Sequence, residues 1–141
     1  MTYAKAFIAG FLSTLVFHQG LLTLFWLSGA FPRAPYSLAP AGPLGVPAVI
    51  SLAFWGGVWA AVIWPLLKDA VGASYWLRAL LIGALGPTAV AVFIVFPLKG
   101  MQMAAGWDPK LIVGALILNG FWGLGVALLM RAFARPHAQP V

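Results

Sequence analysis

The first long apolar run, residues 6–30, holds no charged residue, yet it carries His18 and Gln19 near its middle. A helix of about 20 apolar residues crosses the hydrocarbon core of a bilayer, and this run is longer. In hydrocarbon, an imidazole and an amide are costly unless other protein groups or water hydrogen-bond to them. Any fold of this chain therefore has to bring further helices or water to these two side chains.

The composition belongs to an integral membrane protein. Of the 141 residues, 63% are hydrophobic and 7% are charged, whereas a soluble domain is about 25% charged. The net charge of +6 comes from basic residues at the ends of apolar runs, which favours anionic lipid head groups over nucleic acid as the partner. The absence of cysteine excludes disulfides, thiolate metal sites and cysteine nucleophiles.

The hydropathy pattern predicts an all-α integral membrane protein, a single transmembrane domain over residues 1–141. Four helices, at about 6–30, 47–67, 76–98 and 109–130, are expected to form an up-down-up-down bundle. Pro47 and the pair Asp108-Pro109 are typical of helix starts. Lys5 and the small residues 28–30 imitate a signal peptide, but the apolar run far exceeds the usual 7–15 residues, so we predict a retained helix.

The connection 31–46 contains four prolines and two glycines, which predict an irregular extended segment. Because it is also hydrophobic, we expect an extramembrane cap folded onto the mouth of the bundle, with a flexible loop as the alternative. The tail 131–141 is basic and is predicted to be cytoplasmic.

Small or polar residues recur every four positions in each predicted helix, a pattern that lets transmembrane helices approach closely. Pro87 lies on the third of these stripes and is expected to kink its helix. All four predicted helices carry such a stripe, which is more than one tight crossing within the chain requires. The additional stripes indicate a homo-oligomer or a larger membrane complex. The stripes are Ala6-Gly10-Thr14-His18, Ala53-Gly57-Ala61, Ala79-Gly83-Pro87-Ala91 and Ala115-Asn119-Gly123-Ala127.

An internal duplication is a further hypothesis. The tripeptide at 54–56, Phe-Trp-Gly, recurs at 121–123, and both copies lie in helices that open with a proline. This pattern favours two parallel helical hairpins related by an axis along the membrane normal. A chance match in a sequence rich in glycine and aromatic residues is the alternative.

The basic residues predict the orientation of the chain. Four spans place both termini on one side, together with five cations, against three on the other side. The positive-inside rule therefore predicts cytoplasmic termini. The first group is Lys5, Lys68, Arg78, Arg131 and Arg135, and the second is Arg33, Lys99 and Lys110.

The candidate site is a set of polar and aromatic residues that fall within about two helical turns of the bilayer centre. Helix packing is one interpretation, because such groups hydrogen-bond between helices. A ligand, proton or ion site around His18 and an interface to another subunit are the alternatives. The set is His18, Gln19, Trp55, Trp59, Thr88, Asn119 and Trp122.

The residues within the spans do not form a pattern that is typical of an enzyme. His18 is the one group within the spans that can titrate near neutral pH, and a proton relay normally needs several such groups. Asp69 and Asp108 are expected at the membrane surfaces. A bis-histidine haem lacks a second ligand at this depth, since His137 lies in the tail. We therefore expect no enzymatic activity, no metal and no cofactor.

Five strings together resemble a family of small bacterial four-span inner-membrane proteins with no assigned mechanism. The strings are FHQG, PYSLAP, LGVPAVISLAFWGG, FPLKG and NGFWGLG. The resemblance implies the fold and the membrane, and it implies no catalytic residue. The sequence thus predicts a non-enzymatic multi-pass protein whose mid-span polar cluster serves packing and partner or small-ligand binding. The alternative is a transporter or channel component with His18, Gln19 and Asn119 lining the path.

Overall fold

The computed structural model describes residues 2–134. In this part of the chain four helices are long and apolar enough to cross a membrane, as expected of an all-helical multi-pass protein. They are α1 (Thr2–Leu27), α2 (Ala48–Leu67), α3 (Gly72–Leu98) and α4 (Pro109–Ala134). The predicted positions Arg135 and His137 lie outside the described residues.

The helix ends differ from the predicted ones by a few residues. Helix α1 begins at Thr2 instead of residue 6, and it ends at Leu27 because the chain turns at Gly29, whose φ is +73°. Helix α3 begins at Gly72 instead of residue 76, and α4 extends beyond residue 130 to Ala134. The predicted start of α4 is confirmed, since the Asp108 carboxylate accepts a hydrogen bond from Lys110 N–H at 2.9 Å.

The helices pack mainly in the order α2, α1, α4, α3. Glycines make this possible, because a Cβ at Gly10 would meet the backbone of Gly56 in α2, and one at Gly83 would lie 2.9 Å from the Cα of Gly123 in α4. The small stripes therefore face neighbours within the same chain. Helices α2 and α3 share a small interface, where Trp59 lies against Gly86.

The core lies where the start of α1, the end of α2, the start of α3 and the end of α4 meet. Small residues dominate the α1 side, and larger side chains fill the space between the other helices. The core residues are Ala6, Ala9, Ala60, Ile63, Leu67, Tyr75, Ala79, Trp122, Val126, Ala127 and Met130.

The connection between α1 and α2 contains a small hairpin. Strands β1 (Pro40–Ala41) and β2 (Val46–Pro47) pair antiparallel, with Pro40 opposite Pro47. Upstream of it, the backbone of Ser37 and Ala39 accepts hydrogen bonds from the first N–H groups of α2. These bonds satisfy donors that a helix start leaves without an intrahelical acceptor.

The connection between α3 and α4 contains a short turn, Met103–Trp107. Ala104, Ala105, Gly106 and Trp107 all have φ between 52° and 66°, so the chain makes a left-handed turn there. Such a conformation costs an L-residue roughly 1–2 kcal/mol. Ala104 is fully buried in this turn.

Candidate functional site

Helix α1 widens in its middle, at the residues that constrain the fold most. Thr14–His18 form a π-turn, and Gln19 N–H donates to the carbonyl of Thr14, five residues earlier. In a regular α-helix that N–H would bond to Leu15 O. Leu15 O instead accepts a hydrogen bond from the Tyr36 hydroxyl at 2.8 Å. The loop between α1 and α2 thus bonds to a carbonyl that the wide turn releases.

Helix α3 has a second π-turn, Ala91–Val95, where Phe96 N–H donates to Ala91 O. It follows Pro87, which lies inside the helix and which the sequence predicts as a kink. The helix continues through Pro87 and widens one turn later. Single π-turns are frequent at functional sites.

Gln19 joins His18 to the loop. Its side chain is 4% exposed, and its Oε1 accepts a hydrogen bond from Tyr36 N–H at 2.7 Å. Its Nε2 lies 3.3 Å from Nδ1 of His18. Since Gln19 Oε1 already accepts from Tyr36, the Gln19 amide nitrogen is the donor to the imidazole. A neutral His18 ring then carries its proton on its own Nε2.

Thr88 and Asn119 form a second polar pair. The Asn119 amide donates to the Thr88 hydroxyl at 2.8 Å, which joins α4 to α3. Thr88 is 3% exposed. A cavity of about 170 Å³ lies beside Thr88, between α3, the turn Met103–Trp107 and α4, and apolar side chains form most of its wall.

Trp122 belongs to a third group, which joins α4 to α1. Its indole N–H donates to Gly10 O at 3.1 Å, and its own carbonyl accepts a hydrogen bond from Ser13 at 2.7 Å. Gly10 O also accepts a hydrogen bond from the Thr14 hydroxyl at 2.9 Å. Sequence reasoning placed Thr14 and Gly10 on a packing stripe but did not identify Ser13 or the carbonyl of Gly10 as partners of Trp122.

The two remaining candidates lie on α2. Trp59 is half-buried against Gly86, whereas the side chain of Trp55 is 57% exposed and has the Phe54 ring as an edge-on neighbour. Trp122, its counterpart in the repeated tripeptide, is 3% exposed. The two copies of Phe-Trp-Gly therefore occupy different environments, and the duplication stays a prediction.

The predicted residues thus form separate hydrogen-bonded groups. His18 and Gln19 bond to each other and to the loop, Thr88 bonds to Asn119, and Trp122 bonds to α1. Both His18 and Asn119 have a polar neighbour, as polar groups within apolar spans require. Tyr36 completes the first group, and only its place in the capping segment indicated a role.

Hydrogen bonds satisfy the polar interior throughout the described chain. From residue 2 to residue 134, no buried side-chain nitrogen or oxygen lacks a partner. Over the same residues, no three histidine, aspartate or glutamate side chains come close enough to hold a metal ion. What these groups do chemically is to join helices to each other and a loop to a helix.

Comparison with protein families, with curated proteins and with solved structures finds no match to this chain.

Proposed function

We propose that this chain is a non-enzymatic multi-pass protein of the bacterial inner membrane, whose mid-span polar groups hold its own helices together and whose α2 face binds a partner helix. The observation that carries the first part is the complete pairing of buried polar atoms in residues 2–134. A path for solutes needs polar groups that are free to exchange partners. Here these groups bond across α1, α3, α4 and the loop.

The proposal of a partner rests on Trp55. It is the eighth residue of α2, so at 1.5 Å per residue it lies about 10 Å into a hydrocarbon core roughly 30 Å thick. The hydrogen bonds of residues 2–134 include none from its indole N–H. A tryptophan N–H in hydrocarbon calls for an acceptor, which a second transmembrane helix can supply.

We commit to a second copy of this chain as the first partner. In a two-fold dimer the same face serves both protomers, so Trp55 of each copy would donate to the other. The neighbouring surface of α2 adds Leu52, Phe54 and Val62, which are 42–62% exposed. Because the small stripes pack within the chain, the interface would be formed by these larger side chains.

The test measures association of the full chain in lipid vesicles, by energy transfer between labelled copies. Wild-type protein should associate, and Trp55→Leu should weaken association by about eightfold or more, since the dimer would lose two hydrogen bonds and such bonds between membrane helices contribute about 0.6 kcal/mol each on average. Trp26→Leu is the matched control, because Trp26 is 44% exposed near the end of α1. A monomeric wild type, or an equal effect of both variants, would overturn the proposed dimer.

A transporter or channel component is the second candidate, and the π-turn at Thr14–His18 is the observation in its favour. The imidazole of His18 is half-buried, and its Nε2 takes no part in the hydrogen bond with Gln19. Gln19 and Asn119, the other proposed lining residues, each bond to a different group. This candidate would be favoured if wild-type protein carries a solute across vesicle membranes and His18→Leu loses that flux while its stability is unchanged. No flux in the wild type would exclude it.

A further inference from the structure

A pocket of about 170 Å³ opens at the end of the bundle where α2 and α4 end and α3 begins. Its wall combines two cations, Lys68 and Arg131, with the rings of Trp64 and Tyr75. This position is at the level where the apolar spans end, which is where lipid head groups lie. The pocket is separate from the mid-span polar groups described above.

Arg131 is held in place by aromatic rings. Its Cζ lies 4.7 Å from the centre of the Tyr75 ring and 5.1 Å from that of Trp76. Tyr75 is itself fixed, because it is 4% exposed and its hydroxyl donates to Ala127 O at 2.9 Å. Contact with the ring faces leaves the N–H edge of the guanidinium available, and that edge suits the oxygens of a phosphate.

Lys68 supplies a second charge at the same pocket. Its Nζ lies 3.3 Å from the Asp69 carboxylate, and the two side chains are 51% and 79% exposed. An ion pair this exposed contributes little to stability. The Lys68 ammonium group can therefore leave Asp69 and bind an anion in the pocket. In residues 2–134 no carboxylate forms an ion pair with Arg131.

The surroundings of the pocket are also basic. Lys5 donates to Phe133 O and Arg78 to Leu66 O, both at 3.3 Å, so these two cations lie at the same end of the bundle as the pocket. Among the described residues this end thus carries four cations and the single carboxylate of Asp69. The resulting field attracts anions in general, and the pocket gives one of them a defined place.

We propose that this pocket binds the phosphate of an anionic lipid head group, with Arg131 and Lys68 as its ligands. Basic pockets between transmembrane helices recognise lipid head groups in this way. The volume holds a phosphate group and several waters, and the apolar wall next to it suits the part of a lipid that continues into the membrane. This inference does not depend on the α2 interface, so either can fail alone.

The experiment measures lipid binding to the purified full chain in mild detergent by native mass spectrometry. The probes are a short-chain phosphatidylglycerol, the matching phosphatidylcholine and inorganic phosphate. Phosphatidylglycerol should bind best, and Arg131→Gln and Lys68→Gln should each weaken it about fivefold, the equivalent of ~1 kcal/mol per basic residue near the lipid surface. Asp69→Asn should strengthen it by removing a competing carboxylate.

Lys99→Gln is the matched control, because Lys99 follows α3 at the opposite end of the bundle, and it should leave the affinity unchanged. Lys68→Gln keeps the proposal testable if loss of the Arg131 ring contacts unfolds the other variant. Equal binding of the two lipids, or equal losses in Lys68→Gln and Lys99→Gln, would overturn the proposal. Inorganic phosphate that binds as tightly as the lipid would indicate a soluble anion and would also overturn it.

Discussion

The close packing of α1 against α2 predicts opposite effects for one substitution at two positions of α1. A Cβ at Gly10 would meet the backbone of Gly56 and the side chain of Ala60, whereas a Cβ at Gly20 would have no atom within 4 Å. Both glycines lie in the same helix, so the change in helix propensity from Gly to Ala, up to about 1 kcal/mol in water, is shared. The difference between the two variants then measures the contact alone.

The magnitude follows from the kind of atom that the new methyl group meets. At Gly10 the nearest atoms are the carbonyl group of Gly56 and the Cβ of Ala60, and neither can rotate away as the end of a flexible side chain can. Overpacking of this kind costs about 1–3 kcal/mol, and any separation of α1 from α4 would also weaken the bond from Trp122 to Gly10 O. Gly10→Ala should therefore be less stable than Gly20→Ala by about 1–3 kcal/mol.

The assay is reversible unfolding of the purified chain in mixed micelles, with increasing denaturing detergent and helix content followed by circular dichroism. Gly20→Ala should unfold at or above the wild-type midpoint, and Gly10→Ala below it. Equal midpoints for the two variants would refute the close approach of α1 and α2 at Gly10. A lower midpoint for Gly20→Ala would show that its surface contacts something other than lipid.

Three further predictions concern the polar groups and the strained turn. In a double-mutant cycle, Thr88→Val and Asn119→Leu should show a coupling energy of about 0.6 kcal/mol, and at most about 1.7; additive effects would contradict their hydrogen bond. Gln19→Leu should speed hydrogen exchange at the amide of Tyr36, whose N–H donates to Gln19, and unchanged exchange would exclude that anchor. Ala105→Gly should raise stability by about 1 kcal/mol in the same unfolding assay, because the φ of Ala105 is +53° and glycine adopts this conformation without strain. A lower midpoint would contradict the left-handed turn.

The helices could be predicted from sequence because length and hydropathy are local properties. The four apolar runs gave four spans within a few residues of their ends, and Asp108-Pro109 identified the start of α4 because a cap depends only on its neighbours. The depth of the polar residues also follows from counting along each helix. His18 and Asn119 accordingly have polar neighbours.

The partners of these residues could not be predicted, because depth does not determine direction around the helix axis. The predicted stripe in α1 assumes a regular spacing of four residues through His18, but the π-turn at Thr14–His18 changes the facing direction of everything after it. Gln19 therefore reaches Tyr36, which lies in a connection without regular spacing. Ser13 escaped notice for a related reason, since its bond to Trp122 O depends on how α1 and α4 cross.

The wide turn in α1 also determines how the chain tolerates length changes. One residue corresponds to about 100° of rotation in an α-helix, so a π-turn is equivalent to a regular helix with one residue added. Removing a single residue from 14–18 should restore a regular helix while keeping the first half of α1 in place against α4. The second half would keep its direction toward the loop, so Gln19 would still reach Tyr36 N–H. The carbonyl that the wide turn releases to the Tyr36 hydroxyl would instead bond within the helix. A one-residue deletion here should therefore preserve the span and the Gln19 bond to the loop, while the Tyr36 hydroxyl loses its acceptor.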